Sequence, residues 1–330
     1  MSAVSREANA AQAPSDKHQS GNSGGWRRFV GPALALVGIA LAAFLLHRTF
    51  REYSWAEFES ALASAPRTRL AAALACAAAS YVCLTFFDWL ATRYAGFPMP
   101  WRRAAHASFT ALSLGHNIGF AALSSGAVRY RFYTRWGMSG EGVAKVILFC
   151  GATVGVGLIT LIGLACLIRP SDAATVTGLS AGAAVAFGAA ALALSATWLL
   201  CAAFVRKPLH IAKWSFTFPT LPLAIGQIIV GPLNFAFVAA CLHQSIRAFA
   251  EVDYSAVATA YVLANAASLI SHVPGGLGVI ESVIVYLVPG ANLIAALIVF
   301  RATYFFIPLV FGLITFALTE IYWRTLGRRA

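Results

Sequence analysis

Charge is scarce in this sequence. Only 11% of its 330 residues are Asp, Glu, Lys or Arg, while 59% are hydrophobic. Soluble domains carry about a quarter of their residues as charges, so a water-soluble enzyme or binding module of this size is excluded and the solvent is a bilayer. Acidic residues are the scarcer sign, 12 against 24 Lys and Arg, and they form no cluster suited to Mg²⁺-dependent phosphotransfer. Walker A and HExxH patterns are absent, which excludes the common nucleotide and zinc-protease sites. The six cysteines, Cys76, Cys83, Cys150, Cys166, Cys201 and Cys241, all fall in apolar runs without a CxxC pair. Buried, inert thiols are expected, and no metal or other cofactor.

The net charge of +12 does not imply nucleic acid, because the basic residues are spread through short loops. Such a distribution suits anionic headgroups and cytoplasmic anchoring. Residues 1–28 are rich in Ser, Ala, Gly, Asn and Gln without an apolar period, which predicts a disordered cytoplasmic tail. The first apolar run starts near Phe29, is longer than a signal-peptide core and lacks a small-residue cleavage site, so it is expected to remain as a transmembrane helix. Residues 29–323 then form one transmembrane domain, and 324–330 a basic cytoplasmic C-terminus.

Apolar segments near 29–47, 70–90, 143–168, 176–204, 222–243 and 291–319 are each long enough to cross a hydrocarbon core of roughly 30 Å. Two further segments are less uniform. Residues 105–125 mix His, Ser, Thr, Asn and Gly into an apolar run, and 255–288 are cut by Pro274-Gly275-Gly276. Basic clusters at Arg27-Arg28, Arg93 with Arg102-Arg103, Arg206-Lys207 with Lys213, and Arg324 with Arg328-Arg329 mark cytoplasmic ends, whereas 48–69 balances its arginines with Glu52, Glu57 and Glu59 and is placed outside. Parity then requires 105–125 to enter and leave by one face and 255–288 by the other. The expected fold is an all-α polytopic membrane protein with six full spans and two opposed re-entrant hairpins, or eight spans if both broken segments cross. Both termini are expected to be cytoplasmic.

Irregular backbone at membrane depth survives only where protein or a water-filled cavity satisfies it, so two breaks imply a shared polar cavity. Opposed broken segments are also the pattern of inverted-repeat transporters. Only faint echoes link the halves: Asn117 with Ser124-Ser125-Gly126, against Asn265 with Ser271 and Gly275-Gly276.

The densest polar feature runs from Ser124 through Ser125, Gly126, Arg129, Tyr130, Arg131 and Tyr133 to Arg135. Three guanidiniums beside small residues and aromatics suit a phosphate headgroup, which Arg grips with two parallel donors. The plainer alternative is a positive-inside loop, but His116, Asn117 and a glycine-serine turn add more than orientation needs. The second feature contains His272, Pro274, Gly275, Gly276 and Glu281. A carboxylate in an apolar run costs about 2.5–3.5 kcal/mol on insertion scales, so Glu281 needs a partner, and Arg301 in the last helix is the candidate. A purely structural Glu281–Arg301 pair is the simpler reading; a pair that also coordinates substrate or a coupling proton is the functional one. Asp88, beside Trp89, Arg93 and Tyr94, reads as interfacial, and Pro308 as a helix kink. Ser125 and His272 as nucleophile and base lack a third orienting group.

At these residues the chain resembles the transmembrane domain of lysylphosphatidylglycerol synthase/flippase proteins, which include the multiple peptide resistance factor and stand-alone relatives. The Ser-Gly-Ala-x-Arg-Tyr-Arg-x-Tyr run at 125–133 with Gly137-Met138-Ser139, the Val-Pro-Gly-Gly-Leu-Gly-Val-x-Glu run at 273–281 and the Phe-Arg-Ala-Thr-Tyr-Phe-Phe-Ile-Pro run at 300–308 carry the resemblance. It covers about residues 30–320 and implies a bacterial inner-membrane location. In two-domain relatives this membrane domain moves aminoacylated phospholipid between leaflets while a separate soluble domain makes the lipid. The sequence ends at Ala330, so the aminoacyltransferase half is not expected here, and neither is its enzymatic activity.

These observations predict a lipid translocase that moves a phospholipid, or another anionic or zwitterionic lipid, between leaflets. Ser125, Gly126, Arg129, Tyr130, Arg131, Tyr133 and Arg135 would bind the headgroup. His116, Asn117, His272, Pro274, Gly275, Gly276, Glu281 and Arg301 would line or gate the cavity. Without a nucleotide site, net transport needs a gradient or downstream consumption. The alternatives are a lipid-binding scaffold for a lipid-modifying enzyme partner and an intramembrane enzyme. A homo-oligomer is compatible with each.

Overall fold

The computed structural model describes residues 55–118, 121–211, 214–271 and 293–327. A short helix α1 (Trp55–Ser64) leads into α2 (Arg67–Tyr94), whose alanine-rich sequence favours helix throughout. Gly96, at φ +74°, ends α2 by taking the left-handed conformation that L-residues avoid. There follow α3 (Trp101–Ile118), α4 (Ala121–Arg135), α5 (Gly140–Ile168), α6 (Pro170–Thr177) and α7 (Ala181–Phe204). Ser139 and Ser180 cap α5 and α7 by accepting the amides of Gly142 and Ala183 at 3.1 and 3.2 Å. Strands β1 (Leu209–Ile211) and β2 (Trp214–Phe216) pair antiparallel, Leu209 opposite Phe216, and are the departure from helix among the described elements. The remainder comprises α8 (Leu221–Ile246), α9 (Tyr254–Ser271), α10 (Leu293–Arg301), a π-helical turn (Ala302–Phe306) and α11 (Ile307–Gly327).

Among the described residues, five segments are long and apolar enough to cross a membrane: α2, α5, α7, α8 and the continuous Leu293–Thr325. They match the runs expected at 70–90, 143–168, 176–204, 222–243 and 291–319. One boundary moves. The run drawn from 176 is divided at Gly178, whose φ of +73° ends α6 before α7 begins at Ala181. The span expected at 29–47 lies outside the described residues, as do 272–292 of the second broken segment.

The first broken segment is a helical hairpin. His106 meets Phe132 at 5.3 Å between ring centres, and Gly115 faces Ser125, so α3 and α4 run antiparallel. The hairpin extends over 101–135 rather than 105–125. Arg129, Arg131 and Arg135 are helical, against the alternative of a positive-inside loop, and Ser124, Ser125 and Gly126 also lie within α4 and do not form the turn. Their small size serves packing: a Cβ on Gly115 would lie 2.9 Å from the Cβ of Ser125, and one on Gly126 would press on Ile147 at 3.1 Å.

The core is built on α2, which packs against α8, α3 and α5. Its buried face carries Ala77, Tyr81, Leu84, Asp88 and Ala91 at the three- and four-residue spacing of one helical stripe. Membrane helices gain little from excluding lipid and rely on close contact of small residues. Gly157 of α5 and Gly231 of α8 show this, for a Cβ on Gly157 would fall 2.6 Å from the carbonyl carbon of Gly231.

Candidate functional site

Helix α4 places Ser125, Arg129 and Tyr133 at i, i+4 and i+8, a single stripe facing α2. There Asp88, fully buried, is the focus. Arg129 donates from Nε to Oδ1 at 2.8 Å and from a terminal nitrogen to Oδ2 at 2.7 Å. Its other terminal nitrogen donates to Ser125 Oγ at 2.9 Å. The Tyr133 hydroxyl donates to Asp88 Oδ1 at 2.7 Å, and the Cys150 thiol lies 3.9 Å from Oδ2. With Arg129 only 3% exposed, opposite charges are held bidentately inside the bundle. This corrects the interfacial reading of Asp88. Its aromatic neighbours Trp89 and Tyr94 do mark such a layer, but its own side chain points along the stripe that α4 covers. An isolated acid within an apolar run was the available signal, the same signal that singled out Glu281.

Helical geometry also divides the arginine cluster. Arg131, two residues past Arg129, turns away by more than half a revolution and meets α11, donating to Glu320 at 2.6 and 3.3 Å. Glu320 Oε1 also lies 3.5 Å from Arg324 Nε. Arg135 shares that side, its guanidinium 5.5 Å above the Trp323 ring and within 3.4 Å of the Trp323 carbonyl. Tyr130 is exposed. The three guanidiniums therefore do not converge: one is internal, and two line an edge shared with α11. No sequence pattern links Glu320 to Arg131 across 189 positions.

A second polar group gathers where α3 meets the π turn. Pro308 has no N–H to give the Tyr304 carbonyl, and the Ile307 amide bonds back five residues to Ala302. Carbonyls of this turn take donors from neighbouring helices. Asn117 Nδ2 donates to Phe305 O at 3.3 Å as well as to Ser113 O at 2.9 Å, and the Tyr81 hydroxyl lies 3.5 Å from Tyr304 O. The residue read as a kink thus marks a wider turn. The His116 ring lies 6.1 Å from both Tyr81 and Tyr304, stacked on the latter, and its Nδ1 is buried without a hydrogen-bond partner among the described residues. Tyr304 contacts Ser80 at 3.2 Å, and Ser80 donates to Asn234 Oδ1 at 2.7 Å. Tyr81, Ser80, Tyr304 and Asn234 were not recognisable from sequence, since each is unremarkable among its own neighbours. Arg301, 4% exposed, holds its guanidinium 4.8 Å from the Phe305 ring.

His272, Pro274, Gly275, Gly276 and Glu281 lie outside the described residues, and with them the expected Glu281–Arg301 pair. Among the described residues no three His, Cys, Asp or Glu side chains are grouped to hold a metal.

A family model described as the Lysylphosphatidylglycerol synthase TM region matches residues 35–312. The "Uncharacterized protein slr0712" of Synechocystis is 28% identical over 293 residues, covering 86% of this chain and 90% of that protein. The "Inner membrane protein YbhN" of Escherichia coli K12 is 25% identical over 277 residues, covering 82% of this chain and 86% of its own length.

Proposed function

Because the chain belongs to the Lysylphosphatidylglycerol synthase TM region family, we propose that it is a lipid translocase of the bacterial inner membrane, passing a phospholipid headgroup between leaflets while the acyl chains stay in lipid. Multi-pass architecture and a lipid-related family are the foundation; the transport step is the proposal. The observation that carries it is the buried bidentate pair of Asp88 and Arg129 on the covered face of a helical hairpin.

A translocase must admit a charged headgroup to an apolar layer, where a lone charge is expensive. A pair that is already neutralised can exchange partners without exposing an unpaired ion. A headgroup phosphate takes the two donors of Arg129, and a cationic group on the same headgroup takes Asp88, so the net charge of the interior is unchanged. This chemistry favours zwitterionic over purely anionic headgroups. Tyr133 and Ser125 supply hydroxyls on either side of the exchange. Arg131, Arg135 and Tyr130 present donors at the edge of the hairpin, where a headgroup first arrives. The buried Nδ1 of His116, without a partner among the described residues, gives the neighbouring interior a polar atom to receive it. Ser125 is engaged by Arg129, which suits a positioning role rather than that of a nucleophile.

The test is leaflet exchange of fluorescent zwitterionic and anionic phospholipids in proteoliposomes containing the purified chain. Wild-type protein is expected to exchange lipid, and R129A/R131A to fall to the protein-free leak, with size-exclusion profiles showing both folded. Unchanged exchange in R129A/R131A overturns the reading. Lipid that co-purifies with wild-type protein but is not exchanged by it points instead to a lipid-binding scaffold.

A further inference from the structure

The opposite end of α2 carries a second set of guanidiniums. Arg69 and Asp88 stand 19 residues apart on this one helix, about 28 Å along its axis and close to a full hydrocarbon thickness. Arg69 donates to Gln244 Oε1 of α8 at 3.0 Å. Among the described residues no carboxylate lies within ion-pairing distance of it. One turn beyond Gln244 is Arg247, which caps α8. Arg247 reaches Glu251 through a terminal nitrogen at 2.5 Å, but its Nε is buried and has no acceptor among the described residues. His243, bonded at 3.1 Å to the Val252 carbonyl, lies within electrostatic reach of Arg69, Arg247 and Asp253.

A buried guanidinium N–H without an acceptor is uncommon and costly, and an anion met by the partly exposed Arg247 guanidinium would supply one once that side chain rotates toward it. The acids nearby do not provide one. Glu251 is 81% exposed, Asp253 is also exposed, and such surface partners contribute little. A phosphate group has the charge and the several acceptor oxygens needed to bridge two guanidiniums and the Gln244 amide.

We propose that Arg69 and Arg247, with Gln244 between them, form a phosphate-binding site at the end of the bundle opposite the Asp88–Arg129 pair. Its ligand is the phosphate of a phospholipid headgroup or of a soluble phosphate compound. The site stands on its own geometry, whether or not a headgroup crosses the membrane. Where one does, this is the station it meets a bilayer thickness away from the first.

Full-length protein in neutral detergent is titrated by calorimetry with short-chain phosphatidylglycerol, short-chain diacylglycerol and inorganic phosphate, in the wild-type and R129Q backgrounds. R69Q/R247Q is expected to weaken binding of the phosphatidylglycerol about tenfold or more in both backgrounds, with diacylglycerol unaffected. A lipid source is indicated if inorganic phosphate does not titrate, and a soluble source if it titrates with the same loss; either supports the site. R69K/R247K keeps both charges without the two-pronged donors, and it decides the matter if the glutamine variant does not fold: a several-fold loss is expected. Affinities equal to wild type in a folded R69Q/R247Q or R69K/R247K overturn the assignment. Because R129Q disables the proposed transport route, failure of translocation and failure of this site are read separately.

Discussion

Asp88 and Arg129 face each other through two hydrogen bonds of 2.7 and 2.8 Å, with neither side chain more than 4% exposed. They stand 41 positions apart in the chain, on different helices, and each leaves the other an uncompensated interior charge if it is removed. The consequence is asymmetric, since losing one partner is far worse than losing both.

D88A or R129A alone is therefore expected to destabilise the folded protein by about 3–5 kcal/mol, whereas D88A/R129A loses less than the two single changes together. Thermal unfolding in a fixed detergent, run as a double-mutant cycle, checks this. Equal, additive losses mean that the two charges are not coupled.

The Arg131–Glu320 pair sits nearer the surface, with side chains 22% and 11% exposed. Screening reduces its value, so E320Q is expected to cost about 1 kcal/mol or less. The charge-reversed R131E/E320R should recover stability relative to R131E alone. The same unfolding assay decides it, and a loss from E320Q as large as that from D88A contradicts the contrast drawn between the two pairs.

Gly157 and Gly151 occupy the same helix and make opposite predictions. G157A drives a methyl into the backbone of Gly231 and is expected to cost about 1–3 kcal/mol through overpacking. At Gly151 a Cβ meets nothing within 4 Å, so G151A should be neutral or stabilising by up to about 1 kcal/mol through helix propensity. Unfolding midpoints for the two variants check the sign.

Asn117 supplies the amide that satisfies Phe305 O beside the π turn. N117A is expected to cost about 1 kcal/mol of stability. Hydrogen exchange at residues 302–306 should rise above wild type, while exchange at residues 140–168 stays unchanged. A uniform rise across both segments means that Asn117 supports the fold in general and not this turn.

Much of the fold was legible because one rule governs it. Lipid offers the backbone no partners, so spans must be helices, and the apolar run at 222–243 could form little else. The broken character of residues 101–135 was legible from the polar residues inside it. Their internal arrangement was misjudged: Ser125 and Gly126 read as a turn, yet small residues in a membrane also let helices touch, and here they do that. Asp88 shows the limit from the other side. Its neighbours in sequence belong to the interface, but in a helix the neighbours that matter are three and four positions away, and they form the covered stripe.

The sequence by itself determined the medium, the helical class, the approximate ends of the spans and the family, because hydrophobic length and local motifs are properties of continuous stretches. Tertiary structure alone decided which charge faces which. Arg129, Arg131 and Arg135 are near-neighbours in the chain, yet one closes on Asp88 inside the bundle, one on Glu320 at its edge, and one lies over Trp323. The reason is the 100° each residue advances around a helix, which sends adjacent side chains to different partners, and the identity of those partners is fixed only when distant helices pack.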